Sequence, residues 1–300
     1  MAKKNNILIL GYGEMGHAME HLLDDHCHLH IWEKYPQDNK PFARLEEVAT
    51  YADIILFCLP VNPHQQIANL IAPLLKADCL CLSIAKGLDQ AGKTAAQIFA
   101  DEFVEHQAYG TLYGPMISEE IRANRYAFAQ IACSQIDAYS TVKKLFNDTR
   151  LYIESTPDIT GISWSVILKN VYALAFGMAD ELQFGDNMRG FLAATALQEL
   201  NEIVRSMGGQ EGSPYHLAGL GDLITTATSE DSHHHELGRM LARGESQKIA
   251  GEGIHTLEML DKYHLINTAN YPLFNLIHCI VKEPQQVQKQ FDVYLRNKYL

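Results

Sequence analysis

Ile7-Leu8-Ile9-Leu10-Gly11-Tyr12-Gly13-Glu14-Met15-Gly16 is the stretch whose reading decides the fold. Four consecutive apolar residues with no polar alternation suit a strand covered on both faces, as in a parallel sheet. A G-x-G-x-x-G follows at once, and His17 to Leu23 then sets Met19, Leu22 and Leu23 at helical spacing. The glycine pattern alone is weak, but between a strand and a helix it has the context in which it binds a dinucleotide. Gly11 permits the tight turn, Gly13 lets the backbone approach a pyrophosphate, and Gly16 lets helix and strand pack closely. Tyr12, Glu14 and Met15 belong to the same loop and helix start, where unpaired peptide N–H groups receive phosphate oxygens. The competing reading is a plain glycine turn in an α/β domain.

A second strand-like run, His28 to Trp32, ends in Glu33, 22 positions after Gly11. An acid there accepts hydrogen bonds from the adenosine ribose hydroxyls and repels a 2′-phosphate, so NAD(H) is expected over NADP(H). Lys34, able to fold over a 2′-phosphate, argues the other way. Ala52 to Pro60 reads as a further strand, with a helix from about Pro63 to Leu75, and Cys79 to Ser83 as the next strand before Ala85-Lys86-Gly87. Lys86 thus falls on a loop after a strand, the side on which open α/β sheets bind ligands. Tyr109 to Tyr113 leads into Gly114-Pro115, and Phe128 to Cys133 gives one more strand.

Beyond Pro157 short strands give way to long helical periodicity. Trp164, Ile167, Leu168 and Val171 share one side of a helix, Leu192 to Met207 forms a second that stops at Gly208-Gly209, and Ile254–Leu260 and Leu273–Val281 follow. The expected fold is α/β: a Rossmann-like coenzyme domain over residues 1–157, then an all-helical substrate domain over 158–300.

Composition excludes several functions. Hydrophobic residues make up 47% and charged residues 20%, as in ordinary globular chains, and the formal charge of -12 comes with no Lys/Arg run. Neither nucleic acid nor an anionic membrane is an expected partner. Lys3 and Lys4 precede an apolar run that breaks at Gly11, so no signal peptide is expected, and runs such as Ile54 to Pro60 are too short to span a bilayer. Cys27, Cys58, Cys79, Cys81, Cys133 and Cys279 form no C-x-x-C pair, which suits buried thiols in a reducing, cytoplasmic setting.

Lys169 and Asn170 interrupt an otherwise apolar helix. A buried, unpaired ammonium is expensive, so Lys169 requires a partner or a cleft. Asp222 closes Gly219-Leu220-Gly221-Asp222; it could cap the helix near Leu223, or pair with Lys169 as a proton relay beside a carbonyl.

Taken together, these motifs resemble the bacterial NAD(P)-dependent glycerol-3-phosphate dehydrogenases over nearly the whole chain. The resemblance runs through Gly11-x-Gly13-x-x-Gly16, Lys86-Gly87-Leu88-Asp89, Gly114-Pro115 with Glu120, and Asp158-x-x-Gly161. It continues through Leu168-Lys169-Asn170-Val171, Gly185-Asp186-Asn187, Gly219 to Leu223 with Thr226, and Glu252-Gly253. It implies hydride transfer between NAD(P)H and dihydroxyacetone phosphate, a small-molecule substrate, in a homodimer. Lys169 would be the principal acid/base, with Lys86, Asn170, Asp222 and Thr226 lining the substrate or supporting the lysine, and Gly114 beside it. Pro60, Lys86 and Glu252 complete the expected coenzyme contacts.

The resemblance fails where the family holds phosphate. Its Ser-Arg-Asn-Arg becomes Ser232-His233-His234-His235, its Arg-Gly becomes Thr195-Ala196, and its small residues before Lys-Asn become Trp164-Ser165-Val166-Ile167. Arginine offers a permanent charge and forked donors, whereas histidine is largely neutral near pH 7, so phosphate recognition by Ser232, His233 and His234 is expected to be weaker and pH-dependent. Three readings follow: a glycerol-3-phosphate dehydrogenase with an unusual phosphate grip, a related dehydrogenase for another small carbonyl or hydroxy substrate, or a nucleotide-binding sensor or subunit. His233 and His235 with Glu236 or Asp231 could ligate zinc, but adjacent histidines on one loop rarely converge, and no metal is expected.

Overall fold

Continuous apolar runs form the strands of the first half, and alternate residues in each run serve opposite layers. The computed structural model describes residues 4–36, 41–229, 232–245 and 250–300. In chain order the elements are β1 Asn6–Leu10, α1 Glu14–Leu23, β2 His28–Trp32, α2 Leu45–Ala49, β3 Ile54–Phe57 and α3 His64–Ile71. Next come β4 Leu80–Ser83, α4 Ala95–Glu102, β5 Ala108–Tyr113, α5 Ser118–Arg122, β6 Ala127–Cys133, α6 Ala138–Leu145 and β7 Leu151–Ser155. The strands make one sheet in the order β2-β1-β3-β4-β5-β6-β7, parallel throughout except for the antiparallel β5–β6 pair. Ile7 and Ile9 join Met19, Leu22 and Val142 in one core, while Leu8 and Leu10 join Val48, Ile67 and Phe99 in the other. The strand's period of two thus splits one apolar run between two buried faces, which gives a doubly wound α/β layer. Chain order reverses between β1 and β3, the switch point at which such sheets open a crevice beyond the strands' carboxyl ends.

The remaining elements are helical: α7 Ile159–Glu181, α8 Asp186–Ser206, α9 Asp222–Thr228, α10 His233–Ala242, α11 Glu252–Tyr263, α12 Pro272–Lys282 and α13 Val287–Tyr299. The chain divides into two units, residues 1–89 with 93–159 and residues 90–92 with 160–300. Residues 90–92 join the helical unit, where the Tyr263 hydroxyl donates to the Gln90 carbonyl at 2.8 Å.

In the helical unit α7 is buried on every side from Gly161 to Ala179. By length and composition it could cross a membrane, but 89% of its most apolar window is buried inside the fold, as for a core helix. Two features fix its neighbours. Glu199 of α8 accepts from the Leu273 and Phe274 N–H groups at 2.7 and 2.8 Å, capping α12 from a distance, and from the Tyr172 hydroxyl at 3.1 Å. Burial holds the Glu199 carboxyl above the usual carboxylate range, against the pull of those three donors. A Cβ built on Gly177 would lie 2.0 Å from the His235 carbonyl oxygen, and one on Gly238 2.2 Å from that of Leu174. α7 and α10 therefore cross backbone against backbone, an approach that only glycine permits.

Candidate functional site

Each unit carries one constellation. In the first, Gly11 takes φ +91° and a Cβ on Gly16 would lie 2.3 Å from the Gly11 carbonyl oxygen, so turn and helix fit together only without side chains. Gly13 is the extended N-cap of α1, with no side-chain cap and nothing within 4 Å of a built Cβ. The start of α1 thus offers peptide N–H groups on a clear outer side, which fits a pyrophosphate. Glu14 is exposed and Met15 half-buried, so this turn contributes backbone donors and no cationic side chain. Glu33 accepts from the Tyr12 N–H at 2.8 Å and, through its other oxygen, from the Tyr35 N–H at 3.0 Å. Each carboxylate oxygen has two lone pairs, which leaves acceptor capacity for ribose hydroxyls.

Two loops further along the sheet are tied together. Pro60 is exposed, and its carbonyl lies 2.9 Å from His64 Nδ1; His64 Nε2 lies 2.9 Å from Ser83 Oγ, which also accepts from the Ala85 N–H at 3.1 Å. Lys86 follows, its Nζ donating to the Gly114 carbonyl at 3.1 Å. Burial pushes the His64 imidazole down to about 4, opposed by its bond to the Pro60 carbonyl. His64 has no role in the sequence reading; the only signal is a polar ring in the first turn of a helix that starts beside Pro60.

The second constellation centres on α7. Lys169 Nζ lies 2.9 Å from Asp222 Oδ2, with both side chains only 4% exposed, and it donates to the Thr226 hydroxyl. That hydroxyl in turn donates to the Asp222 carbonyl at 2.7 Å. Of the two roles open to Asp222, the pairing with Lys169 is the one found. Asp222 is not a cap: a π-helical turn, Leu217–Gly221, runs directly into α9, whose N-cap is Gly221. Asn170 Nδ2 donates to Glu252 Oε2 at 3.2 Å, in the first turn of α11. A Cβ on the adjacent Gly253 would lie 2.8 Å from the Asn170 carbonyl oxygen and 3.4 Å from the His234 ring, so Asn170, Glu252 and His234 converge.

The three histidines open a helix, which corrects the expected loop. Ser232 caps α10 by accepting from the His235 N–H at 3.3 Å. His233 is exposed and its Nε2 lies 3.0 Å from the Ala250 carbonyl, while the buried His235 places Nε2 2.7 Å from Asp180 Oδ2. Asp180 also accepts from Arg189 at 2.7 Å; burial pushes its carboxyl up, but the bonds from Arg189 and His235 outweigh that and hold it below the usual range. The histidines are thus directed to different partners, and among the described residues no three His, Cys, Asp or Glu gather as metal ligands. Glu236 is engaged by Arg243 at 2.9 Å, and Asp231 lies outside the described residues. Trp164 and Thr195 are buried, and Ser165 donates to the Gly161 carbonyl at 2.6 Å, so these departures pack within the helical unit.

Residues 33–139 match the N-terminal model of NAD-dependent glycerol-3-phosphate dehydrogenase, and residues 158–292 match its C-terminal model. The chain belongs to this family. The glycerol-3-phosphate dehydrogenase (NAD(P)+) of Deinococcus radiodurans is 33% identical over 74% of this chain and 67% of its own. That of Saccharophagus degradans is 26% identical over 96% of this chain and 89% of its own. The fold is shared with the crystal structure of glycerol-3-phosphate dehydrogenase from Coxiella burnetii, with a TM-score of 0.83 and 24% identity over 96% of this chain and 98% of that one. The family assignment makes the protein an NAD(P)-binding oxidoreductase by fold.

Proposed function

We propose that the protein interconverts dihydroxyacetone phosphate and sn-glycerol 3-phosphate with NAD(H), and that Lys169 moves the proton. The observation that carries this reading is the lysine itself: one ammonium deep in an apolar helix, held by Asp222 and Thr226 with both charges almost fully buried. Bound coenzyme would supply the hydride. Lys169 Nζ would give its proton to the carbonyl oxygen as that oxygen becomes an alkoxide, and would take it back in the reverse direction. In a poorly hydrated site a cation fixed before reaction stabilises the developing negative charge most strongly. Asp222 and Thr226 keep Nζ in place, and the Asp222 carboxylate balances its charge while it carries the proton.

Gly11 to Gly16 would hold the pyrophosphate through peptide N–H groups, with Pro60, Lys86 and Glu252 as further coenzyme contacts. Glu33 favours NAD(H), since a 2′-phosphate would meet its charge. Lys86, Gly114, Asn170 and Thr226 would meet the substrate, and Ser232, His233 and His234 its phosphate. A homodimer is the expected assembly, and sedimentation velocity tests it. The primary assay is NADH oxidation with dihydroxyacetone phosphate across about pH 5.5–8.5, a range that brackets histidine protonation. Turnover that falls as pH rises supports the histidine grip. Absence of turnover at every pH, with NADH still bound, sinks the substrate assignment. NADPH binding more tightly than NADH would overturn the coenzyme preference.

A second reading rests on α10. Of its three leading histidines His235 is committed to Asp180 and His233 faces the Ala250 carbonyl, which leaves less cationic character for a phosphate than arginine provides. This favours a related dehydrogenase acting on a small unphosphorylated carbonyl compound, and NADH oxidation with such a compound would select it.

A further inference from the structure

The loops after β3 and β4 are joined by one buried side chain whose hydrogen-bond polarity is fully determined. A carbonyl oxygen only accepts, so the contact with Pro60 requires the proton on His64 Nδ1. The neutral ring then has only a lone pair at Nε2, so Ser83 Oγ donates to it and uses its own lone pairs to accept from the Ala85 N–H. The chain runs from Ala85 through Ser83 and His64 to Pro60 with every donor pointing the same way. Phe57 and Phe99 enclose the ring at centroid distances of 4.9 and 5.7 Å, so no water competes for these bonds. At one end lies Lys86, one residue past Ala85 and bonded to Gly114. At the other end the strand exit is packed under the glycine loop: a Cβ on Gly11 would strike Leu59 at 2.6 Å and approach the Cys58 carbonyl oxygen at 3.1 Å.

We propose that His64, through Ser83, is a positioning residue that sets the Pro60 strand exit against the glycine-rich loop at one end and the Ala85–Lys86 turn at the other. The proposal rests on the coenzyme reading given above. Its two arms can be cut separately. The Asn amide nitrogen lies as many bonds from Cα as Nδ1 does, and the Gln amide oxygen as many as Nε2. His64→Asn therefore keeps the bond to Pro60 and loses Ser83, and His64→Gln does the reverse.

NADH affinity is measured by fluorescence titration without substrate, and Lys86 exposure by amine labelling mapped by mass spectrometry, so neither readout needs turnover. Losing one buried hydrogen bond is expected to cost about fivefold to tenfold in the property it supports. His64→Gln should weaken NADH binding by that factor and leave Lys86 labelling unchanged. His64→Asn should label Lys86 faster, raise KM for dihydroxyacetone phosphate more than it lowers kcat, and weaken NADH binding less than His64→Gln does, because Lys86 is one coenzyme contact among several. Ser83→Ala, which also removes the acceptor of the Ala85 N–H, should label Lys86 at least as fast as His64→Asn, and adding His64→Asn to it should change nothing further. Circular dichroism and Tm exclude variants that fail to fold, in which case Ser83→Ala alone carries the second arm. Wild-type NADH affinity and Lys86 labelling in folded His64→Gln, His64→Asn and Ser83→Ala would overturn the proposal. Failure of the wild type to bind NADH would remove the coenzyme reading and this proposal with it. Wild-type binding without turnover removes only the substrate assignment, and the NADH and labelling arms still decide.

Discussion

Acidifying the protein should weaken its first unit through His64, by an amount that follows from the burial of one ring. An imidazole in the open chain titrates at 6.5, and burial brings this one down to about 4. Between these values the unfolded chain binds a proton that the folded one excludes, so stability rises with pH across that window and is lost as pH falls. The loss begins as pH drops through 6.5, reaches about 2 kcal/mol by about pH 5 and levels off near 3 kcal/mol below about pH 4. Carboxylates titrate in the same range, so the measurement is a difference: wild type against His64→Phe, which fills the space and removes the titration. Trp32 lies in the first unit and Trp164 in the second, so a Trp164→Phe background lets Trp32 fluorescence report urea unfolding of the first unit alone. The gap between the two stability curves should change by about 2 kcal/mol between pH 7 and pH 5, with the wild type losing more. Parallel curves would refute the reasoning, because they would mean that the ring is either hydrated or protonated in the folded state.

Removing one member of the buried pair isolates a charge: Lys169→Met or Asp222→Leu should cost about 3–5 kcal/mol, and the double variant less than the sum, as read by chemical denaturation. Single costs below about 1 kcal/mol would show the pair to be hydrated. Gly16→Ala places a methyl group where the Gly11 carbonyl stands, so it should lose about 1–3 kcal/mol and most NADH affinity; full affinity in titration would contradict the tight turn. Gly238→Ala should force α7 and α10 apart and lower Tm, and an unchanged Tm would show that the crossing can relax.

The strands legible in the sequence are those whose residues serve two cores at once. Ile54 to Phe57 and Leu80 to Ser83 are buried at every position, so continuous apolar text identifies them. β7 escapes this reading because it lies at the sheet edge: in Leu151–Ser155 only Leu151 is buried, and Tyr152, Glu154 and Ser155 are exposed. α10 and α13 are amphipathic and polar-rich, and Ser232, read in the sequence as a phosphate contact, stands as the N-cap that marks a helix start. The pairing of Lys169 was legible because a lone charge in an apolar helix demands a partner. Its identity was constrained by Asp222, but the distance came only from the fold. His64 and Glu199 stayed hidden for the opposite reason: the Ser83 hydroxyl that meets His64 and the α12 backbone N–H groups that meet Glu199 belong to other segments, which leave no mark in local spacing.

The meeting of α7 and α10 at Gly177 and Gly238 has a consequence for the first turn of α10. Because main chain rests on main chain there and the buried His235 is tied to Asp180, the first turn of α10 is anchored from its buried side. His233 and His234 are in effect exchangeable tips on a fixed mount, of which the buried His235 is a part. A different pair of tips would change the chemistry this turn displays while the scaffold beneath stays where it is.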